Sequence, residues 1–539
     1  LHLIPLGDIH YMNMQDVWGA SPLKTQNPDT VRLLFFIGWL ILLIAAVNYM
    51  NFSTALTPMR IRSINTQKVL GSPAGALRIS LLVEAAGICL VAYVLALVWI
   101  YLLNRGQFLS FVEADISLLS NLSVVTATGA IALLVGVLAG VYPAYYITSF
   151  PPALVLKGSF GLSPAGKRLR TALIGLQYVV SIALIVGACI IQLQNYFMRH
   201  YNLGFDRDRI VIAELSGEMS GKHRDAYVDQ LMKYPEIEDV AFAFQKFGGE
   251  DSYSTYEFSC KEETFNGFLL NVSPSFLDVM GIRLTEGDNF SRTDERDSLN
   301  HFVFNETARR ANDLHLGDLV DMGWGPGRIV GFTDDVLLTS MREEKTNMAF
   351  LVSTPKVMQP LNFSYIRLRA GADAEKVVGY IREAAANIDA SYPLEIEFYD
   401  SLYNQLYHRE EFVKQMVTWS SVLAILISIV GVFGLVIFET QYRRKEIGIR
   451  KVHGATVADI LLMFNRKYFY IVVVCFILAT PVAYMLASGW LKTFVYRTPV
   501  YWWVFVLAFG IILLVTLLTV SFQNWRTARE NPVESIHVE

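Results

Sequence analysis

Charge is scarce in this sequence. Only 17% of its 539 residues are Asp, Glu, Lys or Arg, whereas 53% are hydrophobic. A soluble globular chain carries about 25% charged residues, so a wholly soluble protein is excluded. A basic excess is missing as well: the formal net charge is −4, without the stripe of positive charge that nucleic-acid binding requires. Cysteine is rare, at Cys89, Cys189, Cys260 and Cys475. Three of these stand in apolar runs and one in a polar segment, so no disulfide framework or zinc-type cluster is expected. The nine histidines lack HExxH spacing, and no nucleophile–base constellation is evident. Metal-dependent and other membrane enzymes are therefore not expected, and no cofactor is.

What the sequence has is long apolar runs. About 20 apolar residues cross a bilayer as a helix. Seven windows qualify, at 33–53, 80–103, 122–147, 171–193, 416–439, 468–491 and 499–522. Lys and Arg in the short loops set the direction. The loop at 54–79 carries Arg60, Arg62, Lys68 and Arg78 with no acid, and the loop at 148–170 carries Lys157, Lys167, Arg168 and Arg170. The loop at 440–467 adds Arg443, Arg444, Lys445, Arg450, Lys451, Arg466 and Lys467. These loops are expected inside, together with the C-terminus. The segment 194–415, with 23 Lys plus Arg against 37 Asp plus Glu, is expected outside. It is long enough to bury its own core. Strand-like runs at 209–214, 301–305, 328–332 and 365–369 alternate there with helix-like runs at 222–233 and 373–388, and a Gly-rich turn at 323–327 separates two of them. An α+β domain is expected.

The chain also repeats itself. MRIRSINTQKVLG at 59–71 aligns with YRRKEIGIRKVHG at 442–454, placing Arg60 on Arg443, Ile64 on Ile447, Lys68 on Lys451, Val69 on Val452 and Gly71 on Gly454. Each segment follows a span and precedes two more. A proline closes each copy, Pro152 and Pro532. Two matches in one order imply duplication. The second copy owns an outer domain and an entry helix, whereas residues 1–30 alone precede the first. The repeat therefore predicts an N-terminal truncation and eight spans in the full protein. The basic segment at 440–458 should form an amphipathic helix, either a topology-fixing loop against anionic lipid or a docking helix for a partner's groove.

RRKEIGIRKVHGAT at 443–456 resembles the signature of FtsX-like permeases of ABC transporters, and VNYMNFSTA at 47–55 is similar to what precedes the same turn in their first copy. NVSPSFLDVMGIRLTEGDNFS at 271–291, NETARR at 305–310 and IVGFTDD at 329–335 resemble the extracytoplasmic domain of MacB-like proteins. The first copy departs from the pattern, with Ser63, Asn65 and Thr66 where the second has Glu446, Gly448 and Ile449. The resemblance implies an α-helical polytopic membrane protein with an α+β domain of the MacB periplasmic type. Its domains would be a remnant of a first outer domain (1–30), a first three-helix permease domain (31–158), a linker and entry helix (159–193), the outer domain (194–415) and a second permease domain (416–539). It further implies a noncatalytic permease subunit in a bacterial inner membrane, driven by a dimer of a separate cytoplasmic ATPase, with a periplasmic or outer-membrane partner possible in such systems. The seats for that ATPase would be Arg60, Arg62, Lys68 and Gly71 in the first turn. In the second they would be Arg443, Arg444, Lys445, Glu446, Ile447, Gly448, Arg450, Lys451 and Gly454. One duplicated chain would match one ATPase dimer. Motion of the helices would reach the outer domain and act there on peptide, antibiotic, lipid or lipoprotein. The alternative reading is a membrane-anchored sensor or scaffold for a periplasmic or cell-wall enzyme.

Several features carry less. Glu84, an acid inside a span, reads as a side chain reaching the interface. Gly136 and Gly140 read as close helix packing, and Pro143 and Pro481 as kinks. GLSPAGK at 161–167 approaches P-loop spacing, but Arg168 replaces the Mg²⁺-binding hydroxyl and no strand precedes it. LSGE at 215–218 reads as a chance match to part of an ABC signature, the Asn305 sequon as incidental, and 408–411 as a solvated stalk. A secondary transporter would need paired polar helix breaks at the midplane, which the spans lack.

Overall fold

The computed structural model describes residues 28–106, 115–150, 164–248, 255–261, 263–323, 325–337, 341–342, 344–352, 360–442 and 444–528. Most of the expected N-terminal remnant, Pro152, Pro532 and Arg443 lie outside them. The chain divides into two compact units. One comprises Leu1–Asn195, Phe412–Leu491 and Pro499–Glu539; the other comprises Tyr196–Glu411 with Lys492–Thr498.

The first copy begins with α1 (Pro28–Ala55), a short helix α2 (Thr57–Val69), and two long helices, α3 (Ala74–Arg105) and α4 (Leu122–Thr148). In lipid, helices gain nothing from hiding apolar surface from each other, so small residues that permit close approach hold them. A Cβ at Gly136 of α4 would lie 2.6 Å from Cys89 Sγ of α3, and one at Gly140 would lie 2.8 Å from the Ala85 Cβ. The two glycines serve packing, and α4 runs unbroken through Pro143. The helix α5 (Pro164–His200) follows. Pro164–Lys167 form its first turn, so the near-P-loop sequence is helix where it is described.

The outer unit has two lobes. Its elements run β1 (Ile210–Glu214), α6 (Gly217–Ser220), α7 (Arg224–Leu231), β2 (Ile237–Ala243), β3 (Thr255–Cys260), β4 (Glu263–Asn271), α8 (Phe276–Val279), β5 (Leu284–Gly287), β6 (Asn300–Asn305), α9 (Glu306–Ala311), β7 (Leu319–Asp321), β8 (Pro326–Thr333), β9 (Met348–Val352), β10 (Phe363–Leu368), α10 (Ala374–Ala386), β11 (Ile396–Phe398) and α11 (Tyr399–Leu406). The first lobe is an antiparallel sheet ordered β11-β1-β10-β2. Val211, Ala213, Ile366 and Leu368 pack there with Tyr227 and Leu231 of α7 and Val377 and Ile381 of α10. Asp373 caps α10 by accepting from the Glu375 and Lys376 amides.

In the second lobe the strands follow β5-β8-β6-β9-β4-β3-β7, and β7 pairs with β8 as well as β3. That extra pairing closes a six-stranded barrel, with β5 attached to the far end of β8. Phe258, Phe302, Phe304, Ile329, Phe332 and Leu351 fill it. Gly327 is required by space: a Cβ there would lie 2.4 Å from the Phe302 ring. Rings from both lobes meet between them, with Tyr365 of β10 and Phe350 of β9 5.1 Å and 6.2 Å from Phe276. The incidental motifs have local duties. Ser216 caps α6 by accepting from the Met219 amide, and buried Asn305 caps α9 by accepting from the Ala308 amide.

The second copy repeats the first: α12 (His408–Tyr442), a short α13 (Arg444–Val452), α14 (Val457–Leu491) and α15 (Trp502–Ala528). Among the described residues seven helices are thus long and apolar enough to cross a membrane, the number expected from hydropathy. Within the membrane unit α5 is the central element. Some 61% of its spanning window is buried, against 6% for α3. One side of α5 packs with Ile37 and Ile44 of α1 and Val417 and Ala424 of α12. The other meets Tyr468 and Val472 of α14 and Ala508 and Ile512 of α15. Polar pairs tie it further. Ser181 and Ser428 hydroxyls lie 2.8 Å apart, Ser421 donates to the Leu184 carbonyl at 2.9 Å, and Thr516 donates to the Tyr178 hydroxyl at 3.1 Å. The expected entry helix is therefore the core of the bundle.

Candidate functional site

The candidate site is the pair of short helices, α2 and α13, each wedged between its copy's first and second spans. Their backbone closure is the same. In α2 the Ser72 amide donates to the Gln67 carbonyl and the Gly71 amide to the Lys68 carbonyl, both at 3.0 Å. In α13 the Ala455 amide donates to the Arg450 carbonyl and the Gly454 amide to the Lys451 carbonyl, also both at 3.0 Å. These are paired 6→1 and 5→2 Schellman closures. They place Gly71 at φ +98° and Gly454 at φ +90°, where a Cβ is strained even though nothing lies within 4 Å of it. Glycine is needed at both positions for backbone conformation alone.

The aligned isoleucines anchor both helices. Ile64 is buried with Leu77 of α3 and Ile147 of α4, and Ile447 is buried against α5 and α14. The opposite faces stay open and partly apolar. Val69 is 63% exposed and Leu70 81%; Ile449 is 53% exposed and Val452 66%.

The charges diverge. In the first copy they turn inward. Arg60 pairs with Glu84 of α3 at 2.7 Å, so that acid is a partner of the short helix rather than a side chain merely reaching the interface. Lys68 Nζ donates to the carbonyls of Thr148 and Phe150 at the end of α4. Those groups form the negative end of a helix dipole. Arg78 reinforces the junction, donating to Thr148 Oγ1 at 3.0 Å and covering the Tyr145 ring at 4.0 Å. Burial pushes the Lys68 pKa down, and nearby Arg78 pushes it the same way. Asn65 is buried and donates to the Ile61 carbonyl at 2.9 Å.

In the second copy Glu446 and Arg450 pair at 2.9 Å along an exposed face of α13. Gly448 is buried, and Lys451 is half-buried. Thr456 and Asp459 form a reciprocal cap at the start of α14, with the Thr456 amide donating to Asp459 at 2.9 Å and the Asp459 amide to Thr456 Oγ1 at 3.2 Å. Between α12 and α14, Lys467 pairs with Glu439, which also accepts from the Tyr468 hydroxyl at 3.1 Å. The side chains of Arg62, Arg444 and Lys445, on these short helices, lie outside the described set.

Of the expected seats, Arg60 and Lys68 therefore hold their own copy together, whereas Glu446 and Arg450 stand at the surface. The sequence marked Arg78 and Lys467 only as loop cations that set direction, and it did not single out Glu439. A lone acid in a span, such as Glu84, is the kind of signal from which a nearby base could have been inferred. Among the described residues no group of three or more His, Cys, Asp or Glu side chains is placed to hold a metal.

A helical membrane protein with seven spans among its described residues, a two-lobed unit of sheets and paired turns between spans has the build of a duplicated permease. The FtsX-like permease C-terminal family model matches twice, at residues 35–152 and 419–532. The MacB-like periplasmic core domain model matches residues 173–384. The chain belongs to the FtsX-like and MacB-like permeases of ABC transporters, and is a multi-pass membrane protein with a periplasmic-type domain. Among curated proteins it is similar to the macrolide export ATP-binding/permease protein MacB of Escherichia coli, 23% identical over 48% of this chain and 42% of that protein. It is also similar to MacB 2 of Yersinia pestis, 21% identical over 56% of this chain and 46% of that protein. The chain thus spans less than half the length of these relatives. Among solved structures it is similar to the periplasmic region of MacB from Actinobacillus actinomycetemcomitans, with 16% identity, 39% of this chain and 97% of that one covered, and a TM-score of 0.29. The extracellular domain of the noncanonic ABC-type transporter YknZ matches at 12% identity, 35% and 100% coverage and a TM-score of 0.26.

Proposed function

We propose that the chain is the membrane subunit of an ABC complex. It couples ATP hydrolysis by a separate cytoplasmic ATPase dimer to movement of the outer unit, without a catalytic site of its own. The observation that carries this reading is the matched construction of α2 and α13: the same Schellman closure, the same buried isoleucine, and an open face with an exposed valine at the same place. A helix anchored on one side and partly apolar on the other suits a partner's groove. The turns would face the cytoplasm, and one chain would present both to one ATPase dimer. Work would be delivered beyond the membrane to a peptide, antibiotic, lipid or lipoprotein, with a periplasmic or outer-membrane protein as a further partner.

Affinity purification of the full chain in detergent tests this reading. An ABC ATPase should co-purify, with two ATPase subunits per chain. Four FtsX-like domains per ATPase pair would contradict the single-chain assembly. Replacing Glu446, Arg450 and Lys451 with Ala should weaken the coupling between ATP hydrolysis and activity, lowering the hydrolysis that the chain stimulates, while leaving membrane insertion intact. Deleting 200–410 should leave ATPase binding in place. Recovery of a cell-wall enzyme and no ATPase would move the assignment to a membrane-anchored scaffold.

A further inference from the structure

The segment at 408–411, expected to be a solvated stalk, contains a buried acid. Glu410 is only 6% exposed, and its Oε1 accepts from Arg342 Nε at 3.2 Å. The same guanidinium donates from Nη1 to Thr493 Oγ1 at 2.7 Å and lies 4.0 Å from the centroid of the buried Phe494 ring. Thr493 and Phe494 belong to Lys492–Thr498, the connection between α14 and α15, which is part of the outer unit. The backbone beside Arg342 holds the same connection. The Met341 carbonyl accepts from both the Val495 and Tyr496 amides, at 3.0 and 3.2 Å, and Tyr496 packs on Tyr201 with ring centroids 5.4 Å apart.

The loop that carries Arg342 is itself fastened to the barrel lobe. Lys345 pairs with Asp335 at 3.4 Å, Asp335 accepts from the Thr307 amide of α9 at 2.8 Å, and the Leu337 amide donates to the Leu203 carbonyl at 2.9 Å. Adjacent acids on α12 thus serve two elements, since Glu411 takes Arg199 of α5 at 2.9 Å.

We infer that Arg342 is a positioning residue that clamps the α14–α15 connection onto the outer unit. This gives the second permease copy a mechanical attachment there beyond the two chain crossings at α5 and α12. A planar guanidinium meets the three demands together: a buried carboxylate, a hydroxyl and a ring face. An ammonium holds the carboxylate but loses the ring stacking and the forked geometry. The attachment stands on its own geometry; its use in relaying motion rests on the functional reading above.

Hydrogen–deuterium exchange of the full chain in lipid nanodiscs tests the clamp. In the wild type, peptides covering 492–498 should exchange slowly at Val495 and Tyr496. Arg342→Ala should speed that exchange about tenfold or more, and Arg342→Lys less. Combining Arg342→Glu with Glu410→Arg should restore part of the protection. Exchange over β6 and β9 should remain as in the wild type. If Arg342→Ala does not fold, Thr493→Val with Phe494→Leu removes the loop's side of the clamp and should speed the same peptides. Unprotected Val495 and Tyr496 in the wild type, or unchanged exchange in the folded variants, would overturn the inference. With the co-purified ATPase present, Arg342→Ala should keep ATPase binding yet lose the ATP-dependent change in exchange at 341–345. A wild-type change that persists in the variant would overturn the relay. Failure of any ATPase to co-purify would remove the functional reading and leave the clamp to its exchange result.

Discussion

The two permease copies share a backbone and differ in where they spend their charge. In α2 two cations are taken up by the copy itself, Arg60 by Glu84 and Lys68 by the end of α4. In α13 an acid and a base pair with each other in the open. The same reversal continues in the next helix. At the place where α3 carries Glu84, the aligned α14 carries Lys467, and its partner is Glu439 on α12 rather than a residue of the short helix. Duplication preserved the turn and rewired its electrostatics. The first copy's short helix is locked to the spans behind it, while the second keeps its charged pair at its own surface.

The most disruptive way to probe this contrast is to remove the acid of each copy's inter-helix pair. Glu439→Ala leaves Lys467 and Tyr468 without their shared acceptor and should cost roughly 2–3 kcal/mol, less than a fully buried pair because Lys467 is partly exposed. Glu84→Ala should cost about 1 kcal/mol or less, since both partners are well exposed. Thermal unfolding in detergent compares the two, and equal losses would break the proposed asymmetry. Next in size is the functional contrast. Alanine at Glu446, Arg450 and Lys451 should reduce chain-stimulated ATP hydrolysis about tenfold, equivalent to about 1.4 kcal/mol of coupling. Alanine at Ser63, Thr66 and Gln67 should change it by no more than about twofold. Steady-state hydrolysis by the purified complex decides this, and a larger effect from Ser63, Thr66 and Gln67 would reverse the assignment.

Gly71→Ala and Gly454→Ala should each destabilise by about 1 kcal/mol, because both force a side chain into the left-handed region. Similar shifts in melting temperature would sharpen what the copies share. The smallest expected effect is Glu446→Ala alone, about 0.3–0.5 kcal/mol for an exposed i,i+4 pair. Its loss of stability should vanish at high salt.

Much of this was legible in the sequence because it depends on local pattern. Spans are set by apolar length, and all seven appear as helices. Strand-like runs at 209–214, 301–305 and 328–332 fall on β1, β6 and β8, where buried and exposed residues alternate or a whole strand is enclosed. The aligned Gly71 and Gly454 were legible through the repeat, since a Schellman closure demands one conformation at one place. What escaped the sequence are partnerships across long stretches of chain. Nothing near Glu410 announces Arg342, and nothing near β7 announces that it joins β8. The centrality of α5 escaped for another reason. Its apolar run resembles its neighbours', and its burial shows only in the structure, where the polar side chains Gln177, Ser181 and Gln194 are enclosed.

The closure of β7 onto β8 bears on how the second lobe tolerates crowding. A sheet with an open side offers unpaired amides and carbonyls to any passing extended segment. Here the ring of strands leaves, among the described residues of that sheet, the outer side of Leu284–Gly287 as the short landing place. That hem carries an exposed carboxylate, Glu286, held by Arg309. The lobe is therefore built to meet its surroundings with side chains and loops, and to resist being zipped onto a neighbour.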